Sequence, residues 1–174
     1  WAALTVLAAL PAVVQAQIPG RGFAEPYSWG VEHDSRAGTS MLYQTEEGYD
    51  LMRVECVLPS PRMPLLDAAR PYNRVIKVRS HLAREWLTGR EVFAMVLAME
   101  GWRRVDVLAI QDYLMIGPKE SERGMIAMQL TGQIKIKIIG NTQAGVVEQD
   151  VTVLGMGVED ALAQQDDGCR DHFS

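Results

Sequence analysis

The chain has 174 residues, 48% of them apolar and 22% charged, with a net charge of −5. That composition suits one soluble globular domain, and no long polar tract or linker divides it. Its mild acidity excludes the electrostatic footprint of a general nucleic-acid binder.

The chain opens on WAALTVLAALPAVVQAQIPG, with no charge before Arg21. Ala2 to Val14 is apolar except at Thr5 and Pro11, and Val14-Gln15-Ala16 has the small residues that signal peptidase reads. Residues 1–16 are therefore expected to be a secretory signal, cleaved after Ala16, with residues 17–174 forming one β-rich domain. The apolar run is about 15 residues, short of the roughly 20 that a membrane helix needs. The basic start of a signal and an initiator Met are missing before Trp1, so truncation upstream is expected. The expected location is periplasmic or secreted, with no stable membrane insertion once the signal is removed.

Tyr27 and Trp29 precede the first expected strands, TSMLYQT and LMRVECVL. In the second, Met52, Val54, Cys56 and Leu58 alternate with Arg53 and Glu55, so Cys56 shares a face with core residues. Pro59 to Pro71 reads as a long loop between strands. NRVIKVR sets Ile76 and Val78 against Arg74, Lys77 and Arg79 as a further strand. HLAREWLTGR holds two helical turns, with Leu82 and Trp86 four apart and Gly89 closing them.

EVFAMVLAME is apolar on both faces, which fits a fully buried strand or a helix, and WRRVDVLAI follows Gly101 as its hairpin partner. Lys119 to Arg123 reads as a charged hairpin loop, and MIAMQL as a strand. QIKIKIIG is the plainest strand: Ile134, Ile136 and Ile138 alternate with Lys135 and Lys137. DVTVLG is the last strand, and VEDALAQQ is the one convincing helix, with Val158, Ala161, Leu162 and Gln165 on one face. Breakers recur between these runs, Gly101, Gly124 and Gly132 among them, as in an antiparallel β-sandwich or barrel-like fold, mainly β, with a short C-terminal helix.

An exported chain with two cysteines has one available pairing, and Cys56 and Cys169 are expected to form a disulfide that pins the C-terminal helix. Motifs for catalysis are missing: there is no HExxH, P-loop, GxSxG or dinucleotide fingerprint. Neighbouring residues on a strand point to opposite sides, so Glu32-His33-Asp34 makes a poor ligand set. No catalytic residue, metal or cofactor is therefore expected. Trp86 with Arg84, and Trp102 with Arg103 and Arg104, are the candidate partner-binding residues, because Trp and Arg are enriched at interface hot spots.

In its order of parts the chain resembles small exported proteins of Gram-negative bacteria, among them the periplasmic accessory proteins associated with type VI secretion. The resemblance rests on Arg53-Val54-Glu55-Cys56 and on the terminal VTVLGMGVEDALAQQDDGC, and no Trp follows the final Cys as it would in that group. It implies a disulfide-pinned β-sandwich without an evident active site. The expected function is binding, to an envelope protein or cell-wall material. The alternatives are an inhibitor of an extracytoplasmic hydrolase such as a lysozyme, acting through Pro59–Pro71 or Ile116–Gly124, and an unrecognised hydrolase.

Overall fold

A computed structural model describes residues 27–34, 38–45 and 48–173. The expected signal, residues 1–16, lies outside the described residues. The elements run β1 (Trp29–Asp34), β2 (Gly38–Gln44), β3 (Asp50–Val57), β4 (Asn73–Arg79), α1 (Leu82–Leu87), β5 (Val92–Ala98), β6 (Gly101–Ile110), β7 (Tyr113–Ile116), α2 (Pro118–Thr131), β8 (Gln133–Thr142), β9 (Gly145–Leu154) and α3 (Val158–Phe173).

Among the described residues nine strands form one antiparallel sheet in the order β1-β2-β3-β4-β7-β6-β5-β8-β9. It curls into a half-barrel because β6 serves two partners. Its first half, Gly101 to Asp106, pairs with β5, and its second half, Val107 to Ile110, pairs with β7. Alternation decides which face is inside. Met52 and Val54 on β3, Ile76 and Val78 on β4, Val105 and Val107 on β6, and Ile134, Ile136 and Ile138 on β8 all enter one core. Each such side chain, once fully buried, contributes about 1.5–3 kcal/mol.

The two edges of the sheet meet at one place. The Trp29 indole N–H donates to the Leu154 carbonyl at 2.9 Å, and the Leu154 N–H donates to the Tyr43 hydroxyl at 3.4 Å. The Trp29 and Tyr43 rings pack at 5.4 Å between centroids. Tyr43 and Trp29 are nearly fully buried, so this contact closes the mouth of the half-barrel over the core.

Five sequence expectations are corrected. MIAMQL is not a strand, and Lys119 to Arg123 is not a hairpin loop: both belong to the 14-residue helix α2. Pro118 stands at its start, where a missing N–H costs nothing, and Gly132 ends it at φ 75. Gly124 is no breaker. It is buried, and a Cβ there would lie 2.6 Å from Ile134 Cδ1, so it lets the helix approach β8 closely. Trp29 does not precede the first strand but lies within it, on β1. Arg74 does not face away from Ile76 and Val78: opposite Cys56 in register, it shares their inner face and is buried at its edge.

β4 and β7 pair only from Ile76 to Arg79, and beyond that α2 wedges between them. The Ile76 N–H donates to Ser121 Oγ at 2.8 Å, and Ser121 Oγ donates to the Ile116 carbonyl at 2.9 Å. One buried hydroxyl thus replaces a missing ladder contact on both sides. EVFAMVLAME and WRRVDVLAI form the β5–β6 hairpin, and Leu82 to Leu87 forms the short helix expected there. The helix expected at VEDALAQQ continues through Phe173. Acidic Glu159 and Asp160 in its first turn and Arg170 and His172 in its last complement the helix dipole.

Candidate functional site: the disulfide corner and the outer sheet face

The Cys56–Cys169 disulfide is present, with Cα atoms 6.3 Å apart across 113 residues of chain. Both sulfurs are buried, in a small cluster with Tyr72 and the partly buried Phe173. α3 packs on β1 and β2 through the inward positions of its amphipathic face, Val158, Ala161, Leu162, Gln165 and Cys169, and reaches β3 through Gln165 and Cys169. Gln165 Nε2 donates to the Val54 carbonyl at 2.6 Å, where β2 and β3 separate. Among the described residues no helix is long and apolar enough to cross a membrane.

A charged network lies beside the disulfide. Arg74 pairs with Asp166 on α3, and Arg70 pairs with Glu122 on α2 at 2.9 Å. The Tyr72 hydroxyl donates to the same Asp166 carboxylate. The loop before β4 is held by Asn73, whose amide donates to the Met63 and Pro64 carbonyls and accepts from the Leu66 N–H. Four separate segments are therefore joined by side chains around one corner.

Burial pushes the Tyr72 phenol up to about 12, with the bond to Asp166 adding to the effect. The fold therefore favours the protonated phenol. Below the unfolded value of 10.0 both states hold the proton and the stabilisation is fully present. Between 10 and 12 the unfolded chain gives up a proton that the folded protein keeps, so stability falls as pH rises through this window. Urea midpoints measured just below pH 10 and near pH 12 are expected to drop more for the native protein than for Tyr72→Phe. Equal drops would remove Tyr72 from the account.

The structure separates the two halves of the sequence-predicted patch. Trp86 and Arg84 lie on α1, which packs at the Val92 and Ile110 end of the β5–β6 hairpin. There Leu82 approaches Gly140, and Arg84 lies 3.9 Å from Asp112. Trp102, Arg103 and Arg104 begin β6 at the other end of a ten-residue strand, about 30 Å long. Trp86 is half-buried against the core. Arg103 also parts from its neighbours. It has the parity of the buried Val105, pairs with Glu100, and with Met99, Arg123 and Ile126 lines a cavity of about 150 Å³.

Trp102 and Arg104 do share a face, the outer face of the sheet. Register sets Trp102 beside Leu97 and then Lys135, and Arg104 beside Met95 and then Lys137. The Arg104 guanidinium stacks 3.9 Å from the Phe93 ring centroid and pairs with Glu91 at 2.6 Å. Along β6 the same face continues through Leu108 and Ile110, which register with Met115 and Tyr113 on β7. Trp102 is 46% exposed, Leu108 43% and Ile110 36%. Sequence reasoning missed Leu108, Ile110, Met95 and Met115. A strand apolar on both faces was the available signal, but it cannot say whether its second face is covered.

The other expected sites are placed as follows. Glu32 pairs with Arg53 at 2.9 Å, while the His33 ring shares a 2.9 Å hydrogen bond with Thr39 Oγ1 on the opposite side of β1. Among the described residues no group of three His, Cys, Asp or Glu side chains is placed to hold a metal ion. Of the two loops considered for enzyme inhibition, Pro59–Pro71 is a loop, whereas Ile116–Gly124 ends β7 and opens α2.

The fold and the disulfide define a mainly β, disulfide-pinned domain built on one curled antiparallel sheet. A similar solved structure is the crystal structure of invasion associated protein B from Bartonella henselae, at 14% identity and a TM-score of 0.47, covering 83% of this chain and 96% of that one. No protein-family model matches the chain, and no curated protein matches it.

Proposed function

We propose that the protein is an exported, non-enzymatic binding module of the cell envelope that holds another envelope protein, or cell-wall material, against the outer face of β5, β6 and β7. One observation carries this reading: the outer face of β6 exposes Trp102 at one end and Leu108 and Ile110 at the other, with Arg104 and Asp106 between them, so large apolar side chains stand where a solvated sheet face would carry polar residues throughout. Trp102 has the rigid aromatic surface of an interface anchor, and Arg104 is already ordered by Phe93 and Glu91. The disulfide supports a periplasmic or secreted location, since such bonds persist in oxidising compartments.

The test is capture of partners from envelope extract by the oxidised protein, followed by affinity measurement on the purified pair. Trp102→Ala is expected to weaken binding by at least about 2 kcal/mol, roughly 30-fold, with the thermal midpoint unchanged. Arg84→Ala, at the far end of the sheet, is expected to bind as the native protein does. A partner indifferent to Trp102→Ala and to Leu108→Ser would refute this face as the contact.

A further inference from the structure

Among the described residues β9 is an edge of the sheet, with β8 as its one strand neighbour. The two pair without interruption from Gln133 opposite Leu154 to Thr142 opposite Gly145. In an antiparallel ladder, alternate residues turn both backbone groups toward the partner and the others turn both away. Leu154 fixes the phase. Its N–H goes to the Tyr43 hydroxyl and its carbonyl accepts from Trp29, both on the side away from β8. The Gly155 N–H instead reaches the Gly132 carbonyl, on the β8 side. Val146, Glu148, Asp150 and Thr152 therefore hold their N–H and C=O groups outward. Among the described residues no backbone hydrogen bond reaches these outward groups. The open edge is about 20 Å long.

An open edge is a template for one more strand. Its side chains say which kind. Glu148 and Asp150 both project from the outer face and share a single ammonium, that of Lys137, at 3.1 and 3.7 Å. They are 53% and 74% exposed. A second copy of this chain pairing β9 with β9 would place four carboxylates along one seam, which disfavours a homodimer. β8 shows what suits these residues from the other side: Lys137 between Ile136 and Ile138, presenting a cation to the carboxylates and apolar groups to the core.

We propose that the free edge of β9, from Val146 to Thr152, takes up an extended segment of a partner protein as an added antiparallel strand, the segment carrying Lys or Arg at alternate positions with apolar residues between. The inference rests on the binding-module reading and gives it a second surface, distinct from the Trp102 face.

The probe is a synthetic peptide with the sequence of Gln133–Ile139, added to the oxidised full chain. Amide exchange is expected to slow at Val146, Glu148, Asp150 and Thr152 and nowhere on β6. The peptide carrying Lys135→Glu and Lys137→Glu is expected to bind at least about tenfold more weakly. Thr152→Pro in the protein removes one outward N–H and leaves the β8 ladder intact, so it is expected to abolish binding without unfolding. Trp102→Ala is expected to leave peptide binding unchanged. Absence of binding, protection outside β9, or equal affinity for the two peptides would overturn the edge site. If envelope capture still depended on Trp102 in that case, the binding-module reading would stand without it. Envelope capture indifferent to Trp102→Ala, together with peptide binding at β9, would sink the Trp102 face instead.

Discussion

Replacing Cys56 and Cys169 together by serine is expected to destabilise the protein by about 4–5 kcal/mol, through the loop closure that the bridge imposes on the unfolded chain. The separation of 113 residues makes this a long loop. The loss falls unevenly on the folded state. α3 is held at its start by Val158, Ala161 and Leu162 in the main core, and at its end by Cys169 in the separate cluster with Tyr72. Without the bridge, the last turns keep two polar contacts, the buried bond of Gln165 to the Val54 carbonyl and the half-buried pair of Asp166 with Arg74. Denaturant titration of the double variant should show the drop in midpoint, and amide exchange should show early opening from Gln165 onward while β8 and β9 stay protected. A variant as stable as the native protein would make the disulfide incidental. Cys56→Ser alone is a poorer test, since it leaves a free buried thiol able to form mixed disulfides.

How much of this architecture could be read beforehand depended on whether one pattern or two fitted the residues. Ile134, Ile136 and Ile138 alternate with lysines, so β8 admits a single reading, and its burial follows it residue by residue. Cys56 could be placed on a core face for the same reason. α2 was misread because Ile126, Met128 and Leu130 recur at every second position as in a strand, whereas the helix buries Met125, Ala127 and Met128. Its glycine also looked like punctuation, when it is the point of closest approach to Ile134. β7, four residues long, carries too little pattern to stand out. The outer face was hidden by the apolar excess of EVFAMVLAME, which predicts burial on both sides. Only the register with β6 and β8 shows that Phe93, Met95 and Leu97 look outward. The edge chemistry of β9 was less accessible still, because which backbone groups are free depends on a hydrogen-bond phase that side chains do not encode.

Gly168→Ala is expected to destabilise the protein by about 3 kcal/mol, the upper range for overpacking a well-filled site. The φ of this residue is helical, so strain of the backbone is not the cause. A Cβ at Gly168 would lie 2.0 Å from Thr39 Oγ1 and 2.9 Å from Thr39 Cβ. Neither atom can swing away freely. Thr39 is 2% exposed, its hydroxyl is bonded to the His33 ring, and its Cβ is fixed by β2. Nor can the helix lift off, because the next residue is Cys169, tied to β3. Glycine has poor helix propensity, so an alanine in the middle of α3 would otherwise gain about 1 kcal/mol. The expected sign is thus opposite to the usual one for Gly→Ala in a helix, which makes the measurement decisive. Thr39→Ala in the same chain removes the nearer atom and leaves the Cβ contact, so the double variant should recover part of the loss, with a coupling of about 1–2 kcal/mol. A stabilised Gly168→Ala, or losses that simply add, would mean that α3 sits farther from β2 than this packing requires. The disulfide and the glycine beside it would then no longer act as one clamp holding the C-terminal helix to the sheet.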